Sequence, residues 1–150
     1  MKYVGCPNGL ETDFENEKRI IIRDYNCHGG RGGRMLCFLK DTNECIGYIK
    51  CGSVNEDNYE QIDYKLFPQY WRKGYGYELV SNFIKYLYEV VKIDAGIQTD
   101  PNILNIGSIR ICEKCGLRKI ESVFYEENGI TYENILMRMT KKEYIFSTKR

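Results

Sequence analysis

Histidine, long apolar runs and net charge are all scarce in this sequence, and each shortage removes a class of function. His28 is the sole histidine, so a zinc site would have to be built on cysteines. Cys112 and Cys115 form a C-x-x-C pair, yet no second ligand pair stands at a suitable spacing, so no metal is expected. Lys and Arg number 22 against 21 Asp and Glu, a net charge of +1 that offers nothing global to nucleic acid or to an anionic membrane. No apolar stretch approaches the roughly 20 residues of a membrane span, and Met1-Lys2 is not followed by a signal-type apolar region. A cytoplasmic location is expected. No repeat or linker interrupts the 150 residues, which fit one domain. The cysteines number seven, an odd count that excludes a complete disulfide framework within the chain. In a reducing compartment they read as thiols, several of them buried.

What is present is an ordinary globular composition, 43% hydrophobic and 29% charged, and one informative stretch from Gln61 to Leu79. Ile62 to Phe67 reads as a strand that Pro68 stops. In Trp71-Arg72-Lys73-Gly74-Tyr75-Gly76-Tyr77 the two glycines allow a tight turn with outward-facing amides. A helix follows, with Leu79, Val80, Phe83, Ile84, Leu87, Val90 and Val91 on one face. Amides at a helix N-terminus, with Arg72 and Lys73 beside them, suit a phosphate or pyrophosphate. The loop has neither the P-loop pattern nor the three-glycine dinucleotide fingerprint. A strand-to-helix turn that merely needs positive φ is the other reading.

Elsewhere the chain reads in order as follows. Residues 1–11 are turn-rich, and Thr12 or Asp13 can cap a short helix to about Asp24. Gly29 to Gly33 reads as a flexible loop. Met35 to Lys40 and Cys45 to Cys51 form two strands around a turn at Asp41-Thr42-Asn43-Glu44, and Ser53 to Asn58 turns into the strand described above. Lys92 to Thr99 is a further strand. Asn105 caps a helix from Ile106 to about Cys115, which Gly116 ends. Leu117 to Tyr125 and Thr131 to Met139 make a hairpin around Glu127-Asn128-Gly129. Lys141 to Arg150 reads as a charged tail. This succession predicts an α+β fold with a mixed, mostly antiparallel sheet flanked by helices, its core over residues 35–139.

Tyr70-Trp71-Arg72-Lys73-Gly74-Tyr75-Gly76 resembles the acetyl-CoA loop, Q/R-x-x-G-x-G/A, of the GNAT superfamily of N-acetyltransferases, with Trp71 where Gln or Arg is usual. Ile97-Gln98-Thr99-Asp100-Pro101, Asn105-Ile106-Gly107-Ser108-Ile109-Arg110 and Glu113-Lys114-Cys115-Gly116-Leu117 are similar to the strand, N-x-x-S/A-I-R helix and E-K-x-G-F turn of these enzymes. They are particularly similar to those of aminoglycoside 6'-N-acetyltransferases, and the loop also resembles that of the ribosomal-protein branch. Family members begin with a strand and a helix upstream of a segment resembling Met1 to Asp24. Both are expected to be missing here, so that either the chain is cut short or a second subunit fills the gap, as in a homodimer.

The resemblance implies acetyl transfer from acetyl-CoA to a primary amine, with the 6'-amine of an aminoglycoside as the preferred acceptor. A protein N-terminus, or a non-catalytic acyl-CoA-binding module, are the alternatives. It implies that Arg72, Lys73, Gly74, Tyr75, Gly76 and Tyr77 hold the pyrophosphate. Leu66 and Phe67 would pair with the pantetheine arm and offer an amide to the thioester oxygen, and Asn105 and Ser108 would lie along that arm. Asp63 is the expected base, in an acidic acceptor site with Glu60 and the nearby Glu56 and Asp57. Cys112 falls where many members place a tyrosine that protonates the leaving thiolate; it is the candidate acid, with core packing as the other reading. Tyr125 and Tyr132 are further candidate donors, and Trp71 is expected to pack beneath the loop.

Overall fold

A computed structural model of the chain describes residues 34–149 together with Arg19. The expected N-terminal helix, the glycine run, His28 and the upstream elements lie outside the described residues. β1 (Arg34–Phe38), β2 (Cys45–Val54) and β3 (Tyr59–Leu66) form the expected antiparallel meander. Its turns place Asn43 and Asn58 at φ 56° and 66°, a region asparagine tolerates because its short side chain can bond locally. A 3₁₀ turn, Pro68–Tyr70, leads to α1 (Tyr75–Lys85), which continues into a π-helical turn, Tyr86–Val91. Then come β4 (Gly96–Thr99), α2 (Ile106–Lys114), β5 (Arg118–Glu127), β6 (Ile130–Met139) and α3 (Lys141–Thr148).

The strands make one sheet in the order β1-β2-β3-β4-β6-β5, antiparallel except for β3 against β4. The expected mixed α+β fold is what forms. Ile62, Ile97, Met137 and Met139 from the strands meet Val80, Phe83, Ile84 and Leu87 from α1 and its π turn, with Ile109 and Cys112 from α2. Asn128 and Gly129, at φ 52° and 74°, connect β5 to β6 in the two-residue turn that an Asn-Gly pair favours.

Three expectations change. The long helix does not keep its face: the wider π turn shifts the phase, so Val90 is 66% exposed while Leu87 and Tyr88 turn inward. The strand expected from Lys92 starts only at Gly96, because Lys92 adopts φ 60° and its N–H returns to Leu87 as a helix cap. The charged tail is the helix α3. Thr140 accepts from the Glu143 N–H while the Glu143 carboxylate accepts from the Thr140 N–H, a capping box that starts a helix whatever its surface polarity.

One feature of the sheet positions the site. β3 and β4 are paired only from Tyr59–Gln61 to Gly96–Gln98. β3 then runs on to Leu66, while β4 ends at Thr99. Past that point no ladder joins the two strands, and the sheet opens as a wedge.

Candidate active site at the parting of two strands

The wedge leads into a cleft of about 760 Å³ between β3, the loop before α1 and the first turns of α2. Gly74, at φ 85°, supplies the left-handed turn that starts α1, and no side chain caps that helix. Its first-turn amides are therefore open to a ligand. Gly76 is required for a different reason: a Cβ there would come 2.7 Å from the Ile111 side chain of α2, so its lack of a side chain lets the two helices close around the cleft. Arg72, Arg110 and Lys114 are among the lining residues, and no Asp or Glu is. Lys65 also borders the cleft, but its ammonium lies toward the Tyr48 ring on the opposite face of the sheet. Cationic side chains around an uncapped helix N-terminus make a site for a polyanion.

The structure places the sequence-derived candidates unevenly. Arg72, Gly74, Gly76, Tyr77, Leu66, Asn105 and Ser108 all line the cleft. Lys73 and Tyr75 do not: the Lys73 ammonium lies 5.7 Å from the Tyr70 ring centre, and Tyr75 packs on the same ring. Phe67 is also displaced from its expected role, because its N–H donates to the Ile46 carbonyl at 2.9 Å. In an antiparallel pair the backbone groups alternate in direction, so the Leu66 N–H faces away from β2, toward the wedge. The Leu66 carbonyl accepts from Trp71 Nε1 at 2.8 Å. Trp71 thus braces the loop against the end of β3 rather than lying beneath it, and its ring stays 44% exposed. The Asn105 side-chain oxygen accepts from the Ser108 N–H at 3.1 Å, fixing the start of α2.

Cys112 is wholly buried under the cleft, and burial pushes its thiol up to about 12. An acid sealed from the cleft cannot reach a leaving group there, so core packing is the reading that fits Cys112. The Tyr64 hydroxyl, not anticipated from the sequence, comes within 2.8 Å of Ser108 Oγ across the cleft floor.

The expected acidic group also divides. Side chains alternate across a strand, so Glu60 goes with Ile62 to the core face, where it is buried, whereas Asp63 lies on the opposite face and is partly exposed. Asp63 stands 3.7 Å from the Lys50 ammonium and accepts from Gln61 at 3.4 Å. Asp57 pairs with Arg138 at 2.7 Å. Asp100 gathers this face together. It accepts from Gln61 Nε2 and from the Tyr125 hydroxyl, both at 2.7 Å. The bond to Asp100 pushes the Tyr125 phenol up to about 12, with Asp63 adding to the effect. Asp100 stood in the Ile97–Pro101 run but read only as a strand end, because a partner 25 residues away cannot be seen locally. The result is a cationic cleft on one face and a carboxylate rim on the other, with the wedge between them.

Among the described residues no group of three or more His, Cys, Asp or Glu is placed to hold a metal ion, and no helix is long and apolar enough to cross a membrane.

Comparison with known proteins agrees with this geometry. The N-acetyltransferase YoaA of Bacillus subtilis (strain 168), whose given name calls it uncharacterized, is 27% identical over 117 residues, which is 74% of this chain. The chain spans 64% of that relative's length. A GNAT-family acetyltransferase of Bacillus anthracis superposes with a TM-score of 0.73 at 18% identity, covering 85% of this chain and 75% of its own. Spermidine N-acetyltransferase of Vibrio cholerae, in complex with CoA and spermine, gives 0.71 at 17% identity over 87% of this chain and 76% of its own. A ribosomal-protein-serine acetyltransferase of the same organism, titled putative in its structure, gives 0.68 at 18% identity over 84% and 74%. The acetyltransferase (GNAT) domain family matches residues 1–118, taking in the loop, both glycines and the whole of α2, and the chain belongs to that family.

Proposed function

We propose that the chain is an acetyl-CoA-dependent N-acetyltransferase that acts on a primary amine of a small polycation. The observation that carries this reading is the division of charge about the wedge. The lining of the cleft includes Arg72, Arg110 and Lys114 and no Asp or Glu, beside an uncapped helix N-terminus, which suits the phosphates of CoA. Asp63 and Asp100 stand on the other face, which suits an ammonium group. A thioester threaded between the strands would meet an amine arriving from the acidic side.

Arg72, Gly74, Gly76 and Tyr77 would hold the pyrophosphate, and the Leu66 N–H would meet the thioester oxygen as negative charge develops on it. Asp63 would orient the ammonium and take its proton, directly or through water. The 6'-amine of an aminoglycoside is the acceptor favoured by the Ile97–Pro101 and Asn105–Arg110 runs. A polyamine is the second reading, supported by the similarity to an enzyme solved with CoA and spermine. Acetylation of a ribosomal protein would need the acidic rim to accept a peptide chain.

Thiol release from acetyl-CoA, corrected for the protein's own cysteines, tests the reading across aminoglycosides, polyamines and N-terminal peptides. Turnover with one class names the acceptor. Calorimetric binding of CoA without turnover on any of them would leave a non-catalytic CoA-binding module, and absence of CoA binding would sink the proposal.

A further inference from the structure

Collapse of a thioester adduct leaves a thiolate, and a thiolate released inside a cleft needs a proton from a group already there. Cys112 is sealed beneath the surface, and Tyr125 lies on the other face of the sheet, engaged by Asp100. Tyr64 and Ser108 are different. Both line the cleft, one from β3 and one from the first turn of α2, and their hydroxyl oxygens are 2.8 Å apart. We propose that Tyr64, supported by Ser108, is the proton donor to the departing sulfur, a role that rests on the acetyl-CoA reading above.

The hydrogen-bond arithmetic favours Tyr64 as the outer donor. A hydroxyl can donate once and accept twice. The 2.8 Å contact can be made with the Ser108 hydroxyl donating to the Tyr64 oxygen. In that arrangement the Tyr64 O–H is left for a group in the cleft, and accepting a bond polarises it as a donor.

The step balances without any further reagent. The amine nitrogen bonds to the thioester carbonyl carbon, the C–S bond breaks, and its electron pair stays on sulfur. Sulfur takes the Tyr64 proton and forms S–H. The phenolate recovers a proton from the one the amine nitrogen loses on becoming an amide, carried through water. Burial holds the Tyr64 phenol above its ordinary range, and the same desolvation makes a thiolate formed beside it more basic. Donor and acceptor are raised together, which keeps the transfer in reach.

Tyr64→Phe removes one oxygen and keeps the ring, and Ser108→Ala removes the support. Two measurements decide the role: kcat and KM with acetyl-CoA, and calorimetric affinity for CoA against desulfo-CoA. Tyr64→Phe is expected to lower kcat about a hundredfold with the KM for acetyl-CoA unchanged within about twofold. Wild type is expected to prefer CoA over desulfo-CoA and Tyr64→Phe to bind the two alike. Ser108→Ala is expected to lower kcat by a smaller factor. A Tyr64→Phe protein that keeps wild-type kcat, or that keeps the preference for CoA where no acceptor gives turnover, overturns the assignment while leaving the acetyl-CoA reading intact. Wild type that binds no CoA overturns both.

Discussion

Asp63 and Glu60 stand three positions apart on one strand and end up in opposite environments, which shows how much strand phase decides at the level of the residue. Asp63, on the partly exposed face, is expected to act on the acceptor and not on the cofactor. Asp63→Asn should therefore leave CoA affinity within about twofold and lower kcat/KM at neutral pH by about tenfold. Unaltered steady-state kinetics would remove Asp63 from the mechanism. Gly47 makes a different demand. A Cβ there would sit 2.0 Å from the Lys65 carbonyl oxygen and 2.9 Å from the Leu66 Cα, backbone atoms that cannot swing aside. Gly47→Ala is expected to cost on the order of 3 kcal/mol, read from the urea midpoint. Residues whose role is set by a neighbour in sequence were legible: Asn105 as a cap, Asn128-Gly129 as a turn, Gly74 as the start of a helix. Asp100 and Tyr64 were not, because each acquires its role from a partner that only the folded sheet supplies, Tyr125 in one case and Ser108 in the other.

Among the elements, α3 is the one whose nature local composition concealed. Its charged surface read as a tail, although Thr140 and Glu143 carry the Thr-x-x-Glu signature of a capping box. The backbone bond from Thr140, with further help from Arg118, holds the Glu143 carboxyl below its usual range. A carboxyl with a depressed folded-state pKa stabilises the fold above the unfolded value, about 4.3, and that contribution disappears as the pH falls through the folded value. Amide exchange over residues 141–148 is thus expected to accelerate below about pH 4, ahead of exchange in the sheet. Thr140→Ala should bring part of that loosening to neutral pH, with a loss of about 1 kcal/mol. Uniform exchange across α3 and the core at pH 3 would contradict this. The π turn after α1 is the other departure from the sequence pattern. Helical spacing placed Val90 on the apolar face, and a single change of helical phase exposes it.

For the molecule as a whole, strand order was readable up to β3 and again from β5, where short turns enforce antiparallel neighbours. The crossing between them was fixed by the resemblance more than by pattern, since parallel partners need not be close in sequence. A ligand that bridges β3, α1 and α2 stabilises the folded state by mass action. With CoA at about one hundred times its Kd, the gain is about 2.7 kcal/mol, an upward shift in Tm of roughly 5–10 °C for a domain of this size. A scan with CoA that leaves Tm unmoved would argue against an occupied cleft.

The short parallel ladder from Tyr59–Gln61 to Gly96–Gln98 also bears on how the chain assembles. β1, β2 and β3, and likewise β5 and β6, pair as soon as their own short turns close, whereas β4 must wait for loops of more than thirty residues to be drawn shut on both of its sides, to β3 and to β6. The described fold is in that sense two early-forming blocks sewn together by one late strand, and that strand borders the mouth of the cleft. Opening fluctuations that part the blocks would also dissolve the site. A bound polyanion would therefore act as a fastener, slowing exchange of the Gly96–Thr99 amides more than those at the distal end of the β5–β6 hairpin.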